Sequence, residues 1–301
     1  MNINIKFLYS ALYFVLKINF KLFIFSLIIS AYACDQGIDS MNDPDPDPID
    51  ISLSTKTITI SQVIDGIEQI RPVIIQAPSV INPAINYPIV FAFHGNGGTN
   101  RSWVNRLNSY TNSGEFVGIY PQGFLQSWNL GQEASNADDV AFVNLIIEEL
   151  QNYNNLDFDK MYAIGTSNGS GMVNKLGIET SHFKAIAPVV SQLMESSPLL
   201  SNTQPISVFQ INGAADSVIP IGGGPRFGHL FLDALESAEL WSNHFSCNST
   251  PDIETIGEDT LYVFTDCNNG KEIRYLRVEN GGHGLLNSQM IDDIWLFFQR
   301  F

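Results

Sequence analysis

The sequence predicts an α/β fold: a mostly parallel central sheet with helices on both faces and an antiparallel lead-in on the N-terminal side. Three observations carry this. Short apolar runs recur at 89–93, 116–120, 185–190, 207–211 and 273–278, as strands covered on both faces do. Segments with helical spacing stand between several of them. Most of the runs end in glycine-rich loops, and ligands of open α/β sheets bind at such strand ends.

Taken in order, residues 51–60 alternate Ser and Thr with Ile and Leu, which is strand periodicity. Val63-Ile64-Asp65-Gly66-Ile67 carries a hairpin turn signal. A return strand at 71–76 ends at Ala77-Pro78. The run 89–93 enters His94-Gly95-Asn96-Gly97-Gly98, and 116–120 is the next buried strand. Residues 140–150 have helical spacing, with Asp138 and Asp139 suited to the positive end of the helix dipole. A β-rich stretch at 161–164 precedes Gly165-Thr166-Ser167-Asn168-Gly169, and a helix is expected over 172–178. The strand 207–211 runs into Asn212-Gly213-Ala214-Ala215-Asp216. A helix follows at 231–243. The last strand, 273–278, runs into Asn280-Gly281-Gly282-His283, and a helix at 291–300 closes the chain.

With 301 residues the chain is long enough for one large domain. Its net charge of −16 argues against nucleic acid as a partner, because phosphate binding needs Lys and Arg. Three segments are expected: 1–33, 34–50 and 51–301. Lys6, Lys17 and Lys21 precede an apolar run at 22–33, too short for a stable bilayer span but suited to a secretory leader. Ser30-Ala31-Tyr32-Ala33-Cys34 resembles a bacterial lipobox, with Ala31 where leucine is usual. On that reading Cys34 is lipidated, anchoring the protein in the cell envelope. Ordinary cleavage after Ala33 fits the same residues and leaves a secreted protein with a thiol at Cys34. Residues 35–50, with Asp43-Pro44-Asp45-Pro46-Asp47-Pro48, read as an extended acidic tether or a disordered leader. In an exported chain Cys247 and Cys267 read as a disulfide. Neither has metal-ligand spacing.

The chemistry lies in three loops. Ser167 stands in a Gly-x-Ser-x-Gly frame between a strand and a helix, the context of a nucleophile elbow. Small residues must flank so tight a turn, which accounts for Gly165 and Gly169. Asp216 and His283 follow, each at a strand end. Ser, acid, His is the chain order of α/β-hydrolases. A serine hydroxyl needs a neighbouring imidazole to take its proton, and the imidazole needs a buried carboxylate to fix its tautomer. Gly282 and Gly284 are expected to let the histidine loop bend back over the sheet. His94 is expected to be structural, and His182, His229 and His244 to be surface or packing residues. An oxyanion hole is expected from backbone N–H groups of Asn168 and of Asn96 in the 94–98 loop.

These segments resemble the polyhydroxybutyrate depolymerase and feruloyl-esterase group, close to carbohydrate esterase family 1. The matching stretches are His94 to Gly98, Tyr120-Pro121-Gln122-Gly123, Ser127-Trp128-Asn129, Asp138-Asp139-Val140, the Ser167 elbow, residues 185–190, residues 213–220 and Gly281-Gly282-His283, within 65–285. The chain departs from the group at Gly284-Leu285-Leu286-Asn287, where Trp-Pro-Gly is common, and at Ser170, where glycine is usual. The resemblance implies an exported α/β-hydrolase that cleaves carboxylic esters without a cofactor. The ester substrate would be polymeric: a feruloylated or acetylated polysaccharide, or a polyhydroxyalkanoate. Trp128 and Trp103 are candidate pocket aromatics. A peptidase of the same fold, or a non-catalytic binding lipoprotein, are the rival readings.

Overall fold

A computed structural model describes residues 52–301. The leader, the tether and Cys34 lie outside the described residues. The chain runs through β1 (Lys56–Ile64), β2 (Ile67–Gln76), β3 (Tyr87–Phe93), α1 (Val104–Ser113), β4 (Val117–Pro121), α2 (Asp139–Leu150), β5 (Leu156–Thr166) and α3 (Asn168–Glu179). It continues through β6 (Ala185–Val189), β7 (Ser207–Gly213), β8 (Gly224–Arg226), β9 (His229–Phe231), α4 (Ala234–His244), β10 (Asp252–Ile256), β11 (Asp259–Phe264), β12 (Ile273–Val278) and α5 (Ser288–Phe298).

The main sheet has the order β1-β2-β4-β3-β5-β6-β7-β12-β11-β10. Its six central strands, β4 to β12 in that order, are all parallel. An antiparallel pair closes each edge, β1-β2 on one side and β11-β10 on the other. The expected fold class is therefore observed, with the hairpin lead-in turning at Asp65-Gly66, both at positive φ.

Burial explains the strand composition. Every residue of β4, β6 and β7 is buried, because helices cover both faces of a parallel sheet. On one face, β3 and β5 side chains such as Phe91 and Ala163 pack with Phe142 and Ile146 of α2, Met172 and Leu176 of α3, and Trp241 of α4. On the other, Val90 and Tyr162 pack with Leu107 of α1 and with Ile294, Trp295 and Phe298 of α5. Side-chain caps fix the helix starts: Asp138 accepts from the Ala141 N–H, Asp233 from Leu235, and Asn287 from Met290.

Several elements differ from the sequence expectation. Helix α1 was not anticipated, since it is rich in Asn, Ser and Thr and buries only Leu107 and Thr111. The expected helix at 231–243 begins at Ala234; Phe231 belongs to β9, and the Asp233 cap sets the true start. The antiparallel pair β10-β11 was missed because β10 is exposed along its length and carries no buried-strand signature. Cys247, just after α4, is bonded to Cys267, just before β12. This ties that outer edge to the helix layer.

Candidate active site

The elbow is assembled at the carboxyl end of β5, the centre of the sheet. Ser167 has φ 57° and ψ −121°, a conformation that L residues avoid and that costs about 1–3 kcal/mol. A Cβ on Gly165 would lie 2.2 Å from the Gly169 carbonyl oxygen, and one on Gly169 would lie 2.3 Å from the Phe93 carbonyl oxygen. The two glycines thus let β3, β5 and α3 converge at one point, as the sequence implied. Ser167 donates its N–H to Val189 on the neighbouring strand (3.0 Å). Ser170, the departure after the elbow, is fully buried and donates its hydroxyl to the Ser191 carbonyl (2.9 Å).

Two further loops meet this turn. His283 Nε2 is 2.8 Å from Ser167 Oγ. Its Nδ1 is 2.7 Å from Asp216 Oδ2. The other Asp216 oxygen accepts from the Val218 and Ile219 N–H groups (2.8 and 3.0 Å), so this buried carboxylate has little freedom. The loop backbones interlock as well: Ala215 donates to the Gly281 carbonyl (2.9 Å). The glycines that allow this are not Gly282 and Gly284, around which a Cβ would meet nothing. They are Gly213 and Gly281: a Cβ on Gly213 would sit 2.1 Å from the Gly281 carbonyl. The Leu285-Leu286 departure packs on the α1–α5 side of the sheet and does not line the pocket.

Asn96 and Asn168 line the same pocket as Ser167 and His283. Asn168 opens α3, at the positive end of its dipole. Its side chain does something the sequence did not disclose. Oδ1 accepts from the Trp128 N–H (2.7 Å), and Nδ2 donates to the Trp128 carbonyl (2.9 Å) and to Glu133 (3.3 Å). The residue after the serine thereby latches the 127–133 loop to the elbow. His94 is structural, as expected. It is buried, its Nδ1 donates to the Gly95 carbonyl (2.8 Å), and its Nε2 accepts from the Gly123 N–H (3.0 Å). Burial lowers its pKa and keeps it neutral.

The pocket has a volume of about 530 Å³, within the usual range for small-molecule sites. Its apolar wall is Leu125, Leu130, Val218, Ile219, Phe227 and Phe231; its polar lining includes Gln132, Glu133, Ser191 and His229. Neither candidate tryptophan is in it. Trp128 is fully buried under the site, with its indole N–H on the His94 carbonyl (2.8 Å). Trp103, the residue at the N-terminal cap of α1, is buried in the core. Both were misplaced for one reason: large aromatics near a site mostly serve the core. His229 was misjudged in the other direction. It lines the pocket and pairs with Glu133 at 2.9 Å. No sequence signal marked it, since its strand is three residues long. His182 and His244 stay outside the pocket lining.

No family model matches the chain. It is 25% identical over 248 residues to feruloyl esterase B of Piromyces equi, an alignment covering 77% of this chain and 45% of that one. Feruloyl esterase C of Emericella nidulans is also 25% identical, over 178 residues, covering 56% of this chain and 64% of the relative. Among solved structures, the acetyl xylan esterase from Aspergillus awamori superposes with a TM-score of 0.57 at 16% identity, covering 81% of this chain and 99% of that one. The chain has the α/β-hydrolase fold and is similar in sequence to feruloyl esterases. The chain spans less than half the length of the Piromyces enzyme.

Proposed function

We propose that this α/β-hydrolase is an exported serine esterase that cleaves carboxylic esters on polysaccharides, feruloyl or acetyl esters first among them. One observation carries the reading: Ser167 Oγ, both nitrogens of His283 and Asp216 form an unbroken hydrogen-bonded chain at the base of a pocket. The relatives' names supply the substrate class, and the largely apolar pocket wall suits an aryl or alkyl acyl group.

The mechanism follows from that chain. Ser167 Oγ attacks the ester carbonyl carbon while His283 Nε2 takes the hydroxyl proton. Asp216 stabilises the resulting imidazolium. The backbone N–H groups of Asn168 and Asn96 hold the oxyanion of the tetrahedral intermediate. His283 then passes its proton to the leaving oxygen, and the alcohol departs from an acyl-serine. Water enters, loses a proton to His283 and adds to the acyl carbon. Collapse of that second intermediate returns the proton to Ser167 and releases the acid. Assay of the full chain on feruloyl, acetyl and hydroxybutyrate esters, with a peptide amide alongside, tests the reading. Turnover is expected on the first two. Cleavage of the amide with none of the esters would replace esterase with peptidase.

Export and the lipid anchor at Cys34 belong to the same proposal. A bonded Cys247–Cys267 pair is at home in an oxidising compartment. Two or more acyl chains hold a protein to a bilayer where one does not. Cys34→Ala is expected to move the protein from the membrane fraction to the soluble one. Wild-type protein already wholly soluble, with an unmodified Cys34, overturns the anchor and leaves the esterase reading intact.

A further inference from the structure

The proposed mechanism takes its two oxyanion donors from different segments: the Asn96 N–H from the 94–98 turn after β3, and the Asn168 N–H from the start of α3. Both residues line the pocket, and neither N–H has a hydrogen-bond partner among the described residues. The 94–98 turn holds three glycines in five residues and is exposed at Asn96 and Gly97. A turn of that composition has little stiffness of its own. The segment 122–128 supplies it. Gly123 donates its N–H to His94 Nε2 (3.0 Å). The Gln126 carbonyl accepts from the Gly97 N–H (2.8 Å). The Trp128 indole N–H donates to the His94 carbonyl (2.8 Å).

The same segment grips the residue that carries the other donor. The Trp128 N–H donates to Asn168 Oδ1 (2.7 Å), and the Trp128 carbonyl accepts from Asn168 Nδ2 (2.9 Å). Trp128 therefore touches both halves, with its indole on one and its backbone on the other. It is fully buried, and its ring meets that of Phe93 edge-on at 5.1 Å between centroids. The segment is anchored from behind as well. The Gln122 carbonyl accepts from Arg71 (3.0 Å), whose guanidinium is paired with Asp139 at 2.7 Å.

We propose that Trp128 and the side chain of Asn168 are positioning residues, a brace that holds the Asn96 and Asn168 N–H groups at the separation the oxyanion needs. The inference deepens the proposed function and rests on it. Donors fixed in advance stabilise developing charge without reorganising when it appears. The brace acts through backbone N–H groups, so it bears on the transition state more than on ester binding.

The test uses two variants. Trp128→Phe keeps a buried ring and removes the indole N–H. Asn168→Ala removes the grip on Trp128 and keeps its own backbone N–H. For a feruloyl or acetyl ester, kcat is expected to fall about tenfold in the first and about 10- to 100-fold in the second, with KM within about twofold. An arylboronic acid reads the same donors. Its boron accepts a lone pair from Ser167 Oγ while the hydroxyl proton passes to His283, and the tetrahedral boronate sets an oxygen where the oxyanion forms. Its affinity should fall in step with kcat in both variants. A purely structural role would lower Tm and leave both readouts unchanged in the folded protein. Because both changes cut one brace, the double variant should lose little more than Asn168→Ala alone. Losses that multiply would make the two residues independent and overturn the shared brace. Values of kcat and boronate affinity within about twofold of wild type in folded Asn168→Ala overturn the inference, whether or not Trp128→Phe folds. So does a rise in KM at constant kcat. A wild type that turns over no ester, yet binds the boronate with this dependence on Asn168, counts against the esterase reading and leaves the brace standing.

Discussion

The loops that hold the catalytic chain and the wall that faces the substrate are built on opposite principles. In the loops, the side-chain atoms of the catalytic chain are all partnered: Asp216 binds two N–H groups and His283, and Ser167 binds His283. In the wall, Leu125 and Phe227 are 60% and 68% exposed, with φ of 52° and 53°, and His229 keeps an unpartnered nitrogen. Exposed apolar side chains on strained backbone describe a surface that lacks its complement. On the proposed mechanism the loops supply the reacting groups, and the wall is the part of the pocket left to meet the acyl group.

The largest effect that would break this division is at the base. Ser167→Ala should lower ester turnover by about 10⁴-fold or more with the fold intact, since no other hydroxyl takes its place on His283. Steady-state assays beside a thermal melt check this, and near-full activity in the variant would remove the nucleophile from the account. On the wall, Phe227→Ala should act on binding alone. KM is expected to rise by about three- to tenfold for esters with bulky acyl groups while kcat stays within about twofold. A fall in kcat with KM unchanged would mean that the wall takes part in the chemistry after all.

The smallest effect sharpens the comparison from the side of stability. Glycine tolerates the Ser167 conformation, so Ser167→Gly should abolish activity and yet stabilise the protein by about 1 kcal/mol. In a domain of this size that is about 2–4 °C in Tm. A lower Tm in the variant would show that the elbow is not a store of strain.

This difference between base and wall is also the difference between what sequence reasoning could reach and what it missed. The strands, the elbow, Asp216 and His283 were legible because local chemistry forces the residue type: apolar runs for strands covered on both faces, glycine where backbones converge, a histidine in a strand-end loop. Asn168 was identified only for its backbone position. Its side-chain latch onto Trp128 depends on a partner forty residues away, which no local pattern announces. Glu133 and His229 lie 96 residues apart, and neither has a motif around it. The tryptophans failed for a related reason, because an aromatic near a motif says nothing of the face on which it packs. The polar β10 and the Asn-rich α1 owe their structure to neighbours, not to their own periodicity.

The central claim is that Ser167 is an activated nucleophile, and a fluorophosphonate tests it most directly. Such a reagent phosphonylates a serine whose proton an adjacent base removes. Intact-mass analysis followed by peptide mapping of the labelled full chain should find a single adduct at Ser167, absent from the Ser167→Ala protein. An unlabelled wild type, or an adduct on any other residue, would contradict the account.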